Sequence, residues 1–81
     1  MSEPALTRAQ DEVAECMAQG WAYRRIAEYL GIAESTVRSH VLNISAHLPN
    51  DDDINPYQLV FLWAAHRRWV KMHRPNKDSA A

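Results

Sequence analysis

One stretch of this sequence, residues 31–48, restricts the fold more than any other. Its apolar residues recur at the spacing of one face of an α-helix: Val37, Val41, Ile44 and Leu48. This spacing predicts a helix of about four turns with one buried stripe. Pro49 cannot continue that helix, so the helix is predicted to end before it. The opposite face is polar apart from Leu42 and carries Arg38, so it is either a solvated surface or one that fits a DNA major groove.

A shorter helix precedes this stretch. Residues 23–30 place Ile26, Ala27 and Leu30 on one face, which we expect to be buried. Gly31 then predicts a tight turn into the longer helix. A short helix, a turn that contains glycine and a second helix with a polar face form the layout of a helix-turn-helix motif.

The N-terminal segment predicts a further helix. Thr7 and Gln10 have the spacing of a capping box, so the helix is expected to begin beside them. Gly20 fits the left-handed residue that follows a helix end. The inward face consists of three residues at helical spacing: Val13, Cys16 and Met17. Because Cys16 is the lone cysteine, an internal disulfide is excluded, and we expect this side chain to be a buried hydrophobe rather than a nucleophile.

A fourth helix is predicted from about Pro56 to about Arg74, because Asn55 followed by Pro56 is a strong helix start. Its first half is apolar on nearly every side, which is more than packing against one neighbour can bury. We therefore expect four large side chains to form an interface with a second copy of the chain: Phe61, Leu62, Trp63 and Trp69. The alternative is a groove for a helix or peptide of another protein.

Charge is distributed unevenly along the chain. The formal net charge is −1, which argues against a strongly basic nucleic-acid binder. The second half of the fourth helix is nevertheless basic through Arg67, Arg68 and Lys71, which we interpret as a solvated face or, alternatively, as phosphate contacts. The acidic run at residues 51–53 lacks the spacing of a calcium loop. It is interpreted as a solvated turn, with a contact patch for a basic protein as the alternative.

Length and composition limit the class of protein further. A chain of 81 residues has room for one small domain, predicted at residues 6–74, with disordered ends at residues 1–5 and 75–81. No apolar run is long enough to span a bilayer, and residues 1–4 lack the start of a signal peptide, so we expect a cytoplasmic protein without membrane contact. The sequence offers no nucleophile with a base, no phosphate loop and no set of metal ligands. We therefore predict no enzymatic activity, no metal and no cofactor.

A spaced set of short motifs runs through the first half of the chain: Leu6-Thr7, Glu12-Val13, Gly20, residues 26–32, residues 36–40, Asn43-Ile44 and Leu48. In order and spacing, this set resembles the LuxR/GerE-type helix-turn-helix domain. The resemblance implies an all-α fold of four helices, in which the third enters the DNA major groove and the fourth mediates dimerisation. It also implies a bacterial or phage protein. The fourth helix is longer and more aromatic here than is usual in the family.

The resemblance further implies roles for individual residues. Arg38, Ser39 and Leu42 would lie toward the base edges of duplex DNA. Four other residues are expected to contact the DNA backbone: Arg24, Ser35, Thr36 and His47. The implied function is sequence-specific binding of duplex DNA and regulation of transcription by a stand-alone homodimer. The alternative is a protein-binding module, in which the helix-turn-helix is a scaffold and the aromatic fourth helix docks onto another regulator or an RNA polymerase subunit.

Two further features depart from the family pattern. Glu34 opens the third helix, where a helix N-terminus would otherwise attract a phosphate. The later half of the same helix lacks the basic residues that are frequent in the family. Few phosphate contacts predict weak affinity for random DNA and a shallow salt dependence.

Overall fold

The computed structural model describes residues 6–73, and these residues form four helices and no strand. The helices are α1 (Arg8–Ala18), α2 (Tyr23–Leu30), α3 (Glu34–Ser45) and α4 (Pro56–Met72). The predicted all-α fold of four helices is therefore confirmed. The disordered ends predicted at residues 1–5 and 75–81, together with the expected end of α4 at Arg74, lie outside the described residues.

Side-chain caps define the starts of α1 and α4. The Thr7 hydroxyl accepts a hydrogen bond from the Gln10 backbone N–H at 3.1 Å, and the Gln10 side-chain oxygen accepts one from the Thr7 N–H at 3.2 Å. The Asn55 side-chain oxygen accepts from the Tyr57 N–H at 2.9 Å, beside a proline in the first turn. Both predicted helix starts are confirmed, because each local pattern satisfies backbone donors that a helix start leaves unpaired.

Helices α2 and α3 begin without side-chain caps. Ala22 and Ala33 occupy the two N-cap positions, and neither side chain makes a capping hydrogen bond. An alanine at this position costs about 1 kcal/mol relative to serine or aspartate. The stability of these two helices therefore comes from packing against the core rather than from side-chain caps at their starts.

The core joins α1, α2, α3 and α4 around a small set of fully buried side chains: Val13, Ile26, Val37, Val41, Ile44 and Val60. Three of these belong to the predicted stripe of α3, which is confirmed as its core-facing side. The same stripe overestimates the length of the helix, because α3 ends at Ser45. The chain then tightens into a turn, where the His47 and Leu48 N–H groups donate to carbonyls three residues earlier, and Leu48 packs against the core from outside the helix.

An ion cluster joins α1 to α4, and we use that name for Asp11, Glu15, Arg67, Arg68 and Lys71. The Arg67 guanidinium is buried, donates to the Asp11 carboxylate and lies 3.3 Å from a Glu15 oxygen. The Lys71 ammonium lies 3.2 Å from the same Glu15 oxygen, and Arg68 lies 3.8 Å from the second one. The interpretation of Arg67 as a solvated or phosphate-binding residue is therefore wrong. Its charge is used inside the protein, to dock α4 against α1.

Within residues 6–73, no helix combines the length and apolar character that crossing a membrane requires.

Candidate nucleic-acid interface

The predicted base-contacting residues share the solvent-exposed side of α3. Arg38, Ser39 and Leu42 are all exposed, and Leu42 leaves 42 % of its surface to solvent. They follow helical spacing opposite the buried stripe, so the core fixes the direction in which they project. The structure thus brings this predicted set together on one rigid helix. The exposed apolar Leu42 has no partner in the core, which suits a contact with a thymine methyl group.

Arg38 is positioned from two sides. Its Nη1 lies 3.3 Å from a carboxylate oxygen of Glu34, one helical turn earlier. Its guanidinium carbon lies 5.7 Å from the centre of the Tyr23 ring, which α2 contributes. The pKa of the Tyr23 hydroxyl is raised, first by burial and second by the neighbouring Tyr57, so Tyr23 is neutral at pH 7. The contact between Arg38 and Tyr23 is therefore a cation–π contact rather than an ion pair.

Glu34 and Tyr23 were not among the predicted site residues. The Glu34–Arg38 spacing of four residues is a recognisable signal for an ion pair on a helix. Tyr23 gives no comparable signal, because its contact with Arg38 depends on how α2 packs against α3.

The predicted backbone contacts occupy less uniform positions. Ser35 and Thr36 are exposed in the first turn of α3. Arg24 is exposed near the start of α2, where its side chain lies 3.5 Å from Glu28 on the same helix. His47 is exposed in the turn after α3, not on the helix where the pattern places it. The four residues therefore come from three segments of the motif.

Positive charge on the helix-turn-helix is paired locally. Arg24 and Arg38 each have a glutamate of their own helix as partner, and the Arg25 guanidinium lies 4.1 Å from the centre of the Trp21 ring. The basic end of α4 is engaged by the acidic residues of α1. A positive face that joins the motif to the end of α4, which a strongly electrostatic DNA binder would show, is therefore weakened by these pairs.

The expected interface residues of α4 divide into two groups. Phe61, Leu62 and Trp69 are 40 %, 48 % and 57 % exposed and lie on one side of the helix. Trp63 is only partly exposed, packs against the core and lies under the Arg67 guanidinium. Met72 adds a further exposed apolar side chain to the first group. We call Phe61, Leu62, Trp69 and Met72 the exposed α4 face; Trp63 is not part of it.

A shallow cavity of about 310 Å³ lies beside this face and is lined mainly by apolar and aromatic side chains. Tyr57 and Phe61 come from α4, and Met17, Trp21 and Tyr23 come from the first two helices and the turn between them. The exposed α4 face thus continues into a groove on the body of the domain.

Comparison with known proteins agrees with this architecture. Residues 4–53 match the family described as bacterial regulatory proteins, luxR family. The chain is also 34 % identical over 67 residues to the transcriptional regulatory protein DegU of Brevibacillus brevis. That match covers 83 % of this chain and 27 % of the relative, so the chain spans about a quarter of the length of the relative. No solved structure matches the chain.

The family match covers more than half of the chain and contains α1, the two helices of the motif and the exposed side of α3. It ends before α4 begins at Pro56. The chain therefore belongs to the LuxR family of bacterial regulatory proteins, and its first three helices carry the helix-turn-helix DNA-binding domain of that family.

Proposed function

We propose that this protein binds specific sequences of duplex DNA as a homodimer and regulates transcription. The observation that carries the proposal is the exposed side of α3, where Arg38, Ser39 and Leu42 lie opposite a fully buried stripe. A helix that is anchored in this way presents its polar side as a rigid unit, which is the geometry of recognition helices. Because bacterial DNA lies in the cytoplasm, the proposal places the protein there.

Each of the three side chains fits particular groups on the edges of the bases. The Arg38 guanidinium can donate two hydrogen bonds to guanine O6 and N7. The Ser39 hydroxyl can donate or accept and therefore fits several base edges, and Leu42 fits a thymine methyl group. Arg24, Ser35, Thr36 and His47 then contact the sugar-phosphate backbone and set the register.

The homodimer is proposed through the exposed α4 face. Phe61, Leu62 and Trp69 place large apolar surfaces side by side in solvent, which is unusual for a small monomeric domain. A symmetric dimer covers this face on both copies with one interface. It also gives two recognition helices, which contact two half-sites and compensate for the few phosphate contacts of each copy.

Binding to DNA is tested by fluorescence anisotropy with a duplex selected from a random library. We expect Arg38→Ala to reduce affinity for the selected site by at least about fivefold, the lower limit for one bidentate base contact. The control is Arg8→Ala, which also removes an exposed arginine paired with a glutamate four residues away, but from α1. Sequence-specific binding that survives Arg38→Ala unchanged would contradict the proposed role of α3.

The dimer is tested separately by sedimentation velocity. We expect the wild type to sediment as a dimer and Leu62→Glu as a folded monomer, because the substitution places a charge in the apolar interface. Tyr29→Glu is the control, since Tyr29 is an exposed aromatic residue on α2. A wild type that remains monomeric at high micromolar concentration would overturn the homodimer.

The second candidate function is a protein-binding module. It is supported by the cavity beside Phe61 and by the pairing of Arg24 and Arg38 with glutamates, which lowers the attraction to DNA. In this hypothesis, the exposed α4 face docks onto another regulator or an RNA polymerase subunit. The anisotropy experiment separates the two functions, because only the DNA-binding protein has affinity for a selected duplex that falls with salt concentration.

A further inference from the structure

Glu34 and Arg38 form a donor–acceptor pair on the exposed side of α3. The carboxylate and the guanidinium are 3.3 Å apart, and their side chains are 44 % and 48 % exposed. Both lie in the N-terminal part of α3, the part of a recognition helix that contacts base edges. The pair is therefore accessible to a ligand as a unit.

Each residue of the pair has a neighbouring element that favours its position. Glu34 is the first residue of α3, and its backbone is fixed by the turn that follows Gly31. The Tyr23 ring lies 5.7 Å from the guanidinium carbon of Arg38 and restricts that side chain from α2. A side chain with few accessible rotamers loses little entropy when it binds, so this arrangement favours a defined contact over a mobile one.

The pair matches the edge of one base pair in the major groove. A guanidinium only donates and a carboxylate only accepts hydrogen bonds. Guanine presents two acceptors, N7 and O6, and the paired cytosine presents the N4 amino donor next to them. We infer that Glu34 and Arg38 together recognise one G·C base pair, in which Arg38 donates to guanine and Glu34 accepts from cytosine; this inference rests on the proposed DNA-binding function.

The same pair disfavours two of the other base pairs, A·T and C·G, and the phosphates. In an A·T pair, the adenine N6 amino group would face the donors of Arg38 and the thymine O4 would face the acceptors of Glu34. Reversal of the G·C pair exchanges donor and acceptor in the same way. A T·A pair keeps the order of acceptor and donor, so discrimination against it comes from Arg38, which loses its second hydrogen bond to guanine N7. A phosphate near Glu34 would be repelled by the carboxylate. Glu34 therefore acts as a specificity-determining residue through repulsion as well as attraction.

The experiment measures base preference at the position that Arg38 recognises. That position is identified from a selected site as the one whose preference disappears in Arg38→Ala. Four duplexes are then made, each with a different base pair at that position. Their affinities for the wild type and for Glu34→Gln are compared. The control is Glu12→Gln, because Glu12 also pairs with an arginine four residues away and its side chain is likewise 44 % exposed, but on α1.

We expect the wild type and the Glu12→Gln control to prefer G·C by at least about fivefold over each alternative. Glu34→Gln should lose much of the preference over A·T and C·G, because an amide both donates and accepts, while the preference over T·A remains. It should also bind random DNA more tightly. Glu34→Asp keeps the charge but is one methylene shorter, so it should lose the preference over A·T and C·G without the gain on random DNA. Circular dichroism establishes that each variant is folded.

A chemical probe isolates the proposed contact with cytosine. Replacing the cytosine by pyrimidin-2-one removes only the 4-amino group, and we expect the wild type to lose more affinity than Glu34→Gln, whose neutral amide oxygen accepts a weaker hydrogen bond. Equal losses in both proteins, with G·C still preferred over A·T and C·G by Glu34→Gln, would overturn the inference and leave the proposed function intact. A folded wild type without any sequence preference would instead overturn the proposed function and, with it, this inference.

Discussion

Substitution of Arg67 tests how the ion cluster holds α4. In Arg67→Ala, Asp11 and Glu15 lose a cation whose side chain is only 7 % exposed, and Trp63 loses the guanidinium that lies 5.3 Å from the centre of its ring. Breaking a fully buried ion pair costs about 3–5 kcal/mol. Asp11 and Glu15 are 46 % and 32 % exposed and retain water, so we expect about 2–3 kcal/mol here. For a domain of this size, that corresponds to a fall in Tm of about 10–20 °C.

Thermal unfolding, monitored by circular dichroism, measures this change in Tm. Two further variants separate its causes. Arg68→Ala removes a half-exposed cation that lies 3.8 Å from Glu15, so we expect less than about 1 kcal/mol. Arg67→Met keeps most of the side-chain volume but also leaves Asp11 and Glu15 without this cation, so we expect it to recover only the part of the loss that comes from packing. A fall in Tm for Arg67→Ala no larger than that for Arg68→Ala would refute the assignment of Arg67 as the residue that docks α4.

Three other predictions concern single positions. Gly31→Ala should lower the free energy of unfolding, measured by urea denaturation, by about 1 kcal/mol. Gly31 has a φ of 69°, which strains an alanine backbone, although no neighbouring atom contacts the new methyl group. Unchanged stability would contradict the left-handed turn. Ala33→Ser should raise the free energy of unfolding by up to about 1 kcal/mol by capping α3, and no gain in the same assay would show that this helix start is already satisfied. The pKa of the Cys16 thiol is raised above its ordinary value of 9.0, first by burial and second by the negative charge of Glu12. Alkylation of this thiol by iodoacetamide at pH 8 should therefore be slower in the folded than in the urea-unfolded protein. Equal rates would contradict this burial. Because the pKa of the thiol is higher in the folded than in the unfolded state, its contribution to stability is fully present below pH 9. This contribution falls as the pH rises through the folded-state pKa.

Local patterns were sufficient to predict most of the fold. The apolar spacing of Val37, Val41 and Ile44 identifies the core side of α3, and each of these residues is completely buried. The sequence signals at Thr7 and Asn55 predict two helix starts because a cap depends on residues that are adjacent in the chain. Membership of a family of regulators, rather than of enzymes, likewise confirms the prediction that the chain is not an enzyme.

Long-range packing explains what the sequence could not predict. Arg67 and Asp11 are 56 residues apart, so their contact exists only after α4 has packed on α1. Trp63 was assigned to the interface because α4 is apolar on nearly every side, and periodicity cannot select the buried side of such a helix. For the candidate site, spacing alone places Arg38 on the exposed side of α3, whereas the position of Tyr23 beside it requires the angle between α2 and α3.

The pairing of Arg24 and Arg38 with glutamates on their own helices has a consequence for how such a protein finds its site. A contact of either arginine with a random phosphate must replace an existing ion pair, so we expect a short residence time on non-specific DNA. Sliding along the duplex then contributes less to the search, and repeated three-dimensional encounters contribute more. Since a genome offers a vast excess of non-specific sites, weak retention by them leaves more of the protein available. A regulator built in this way can occupy its target at a low number of copies per cell.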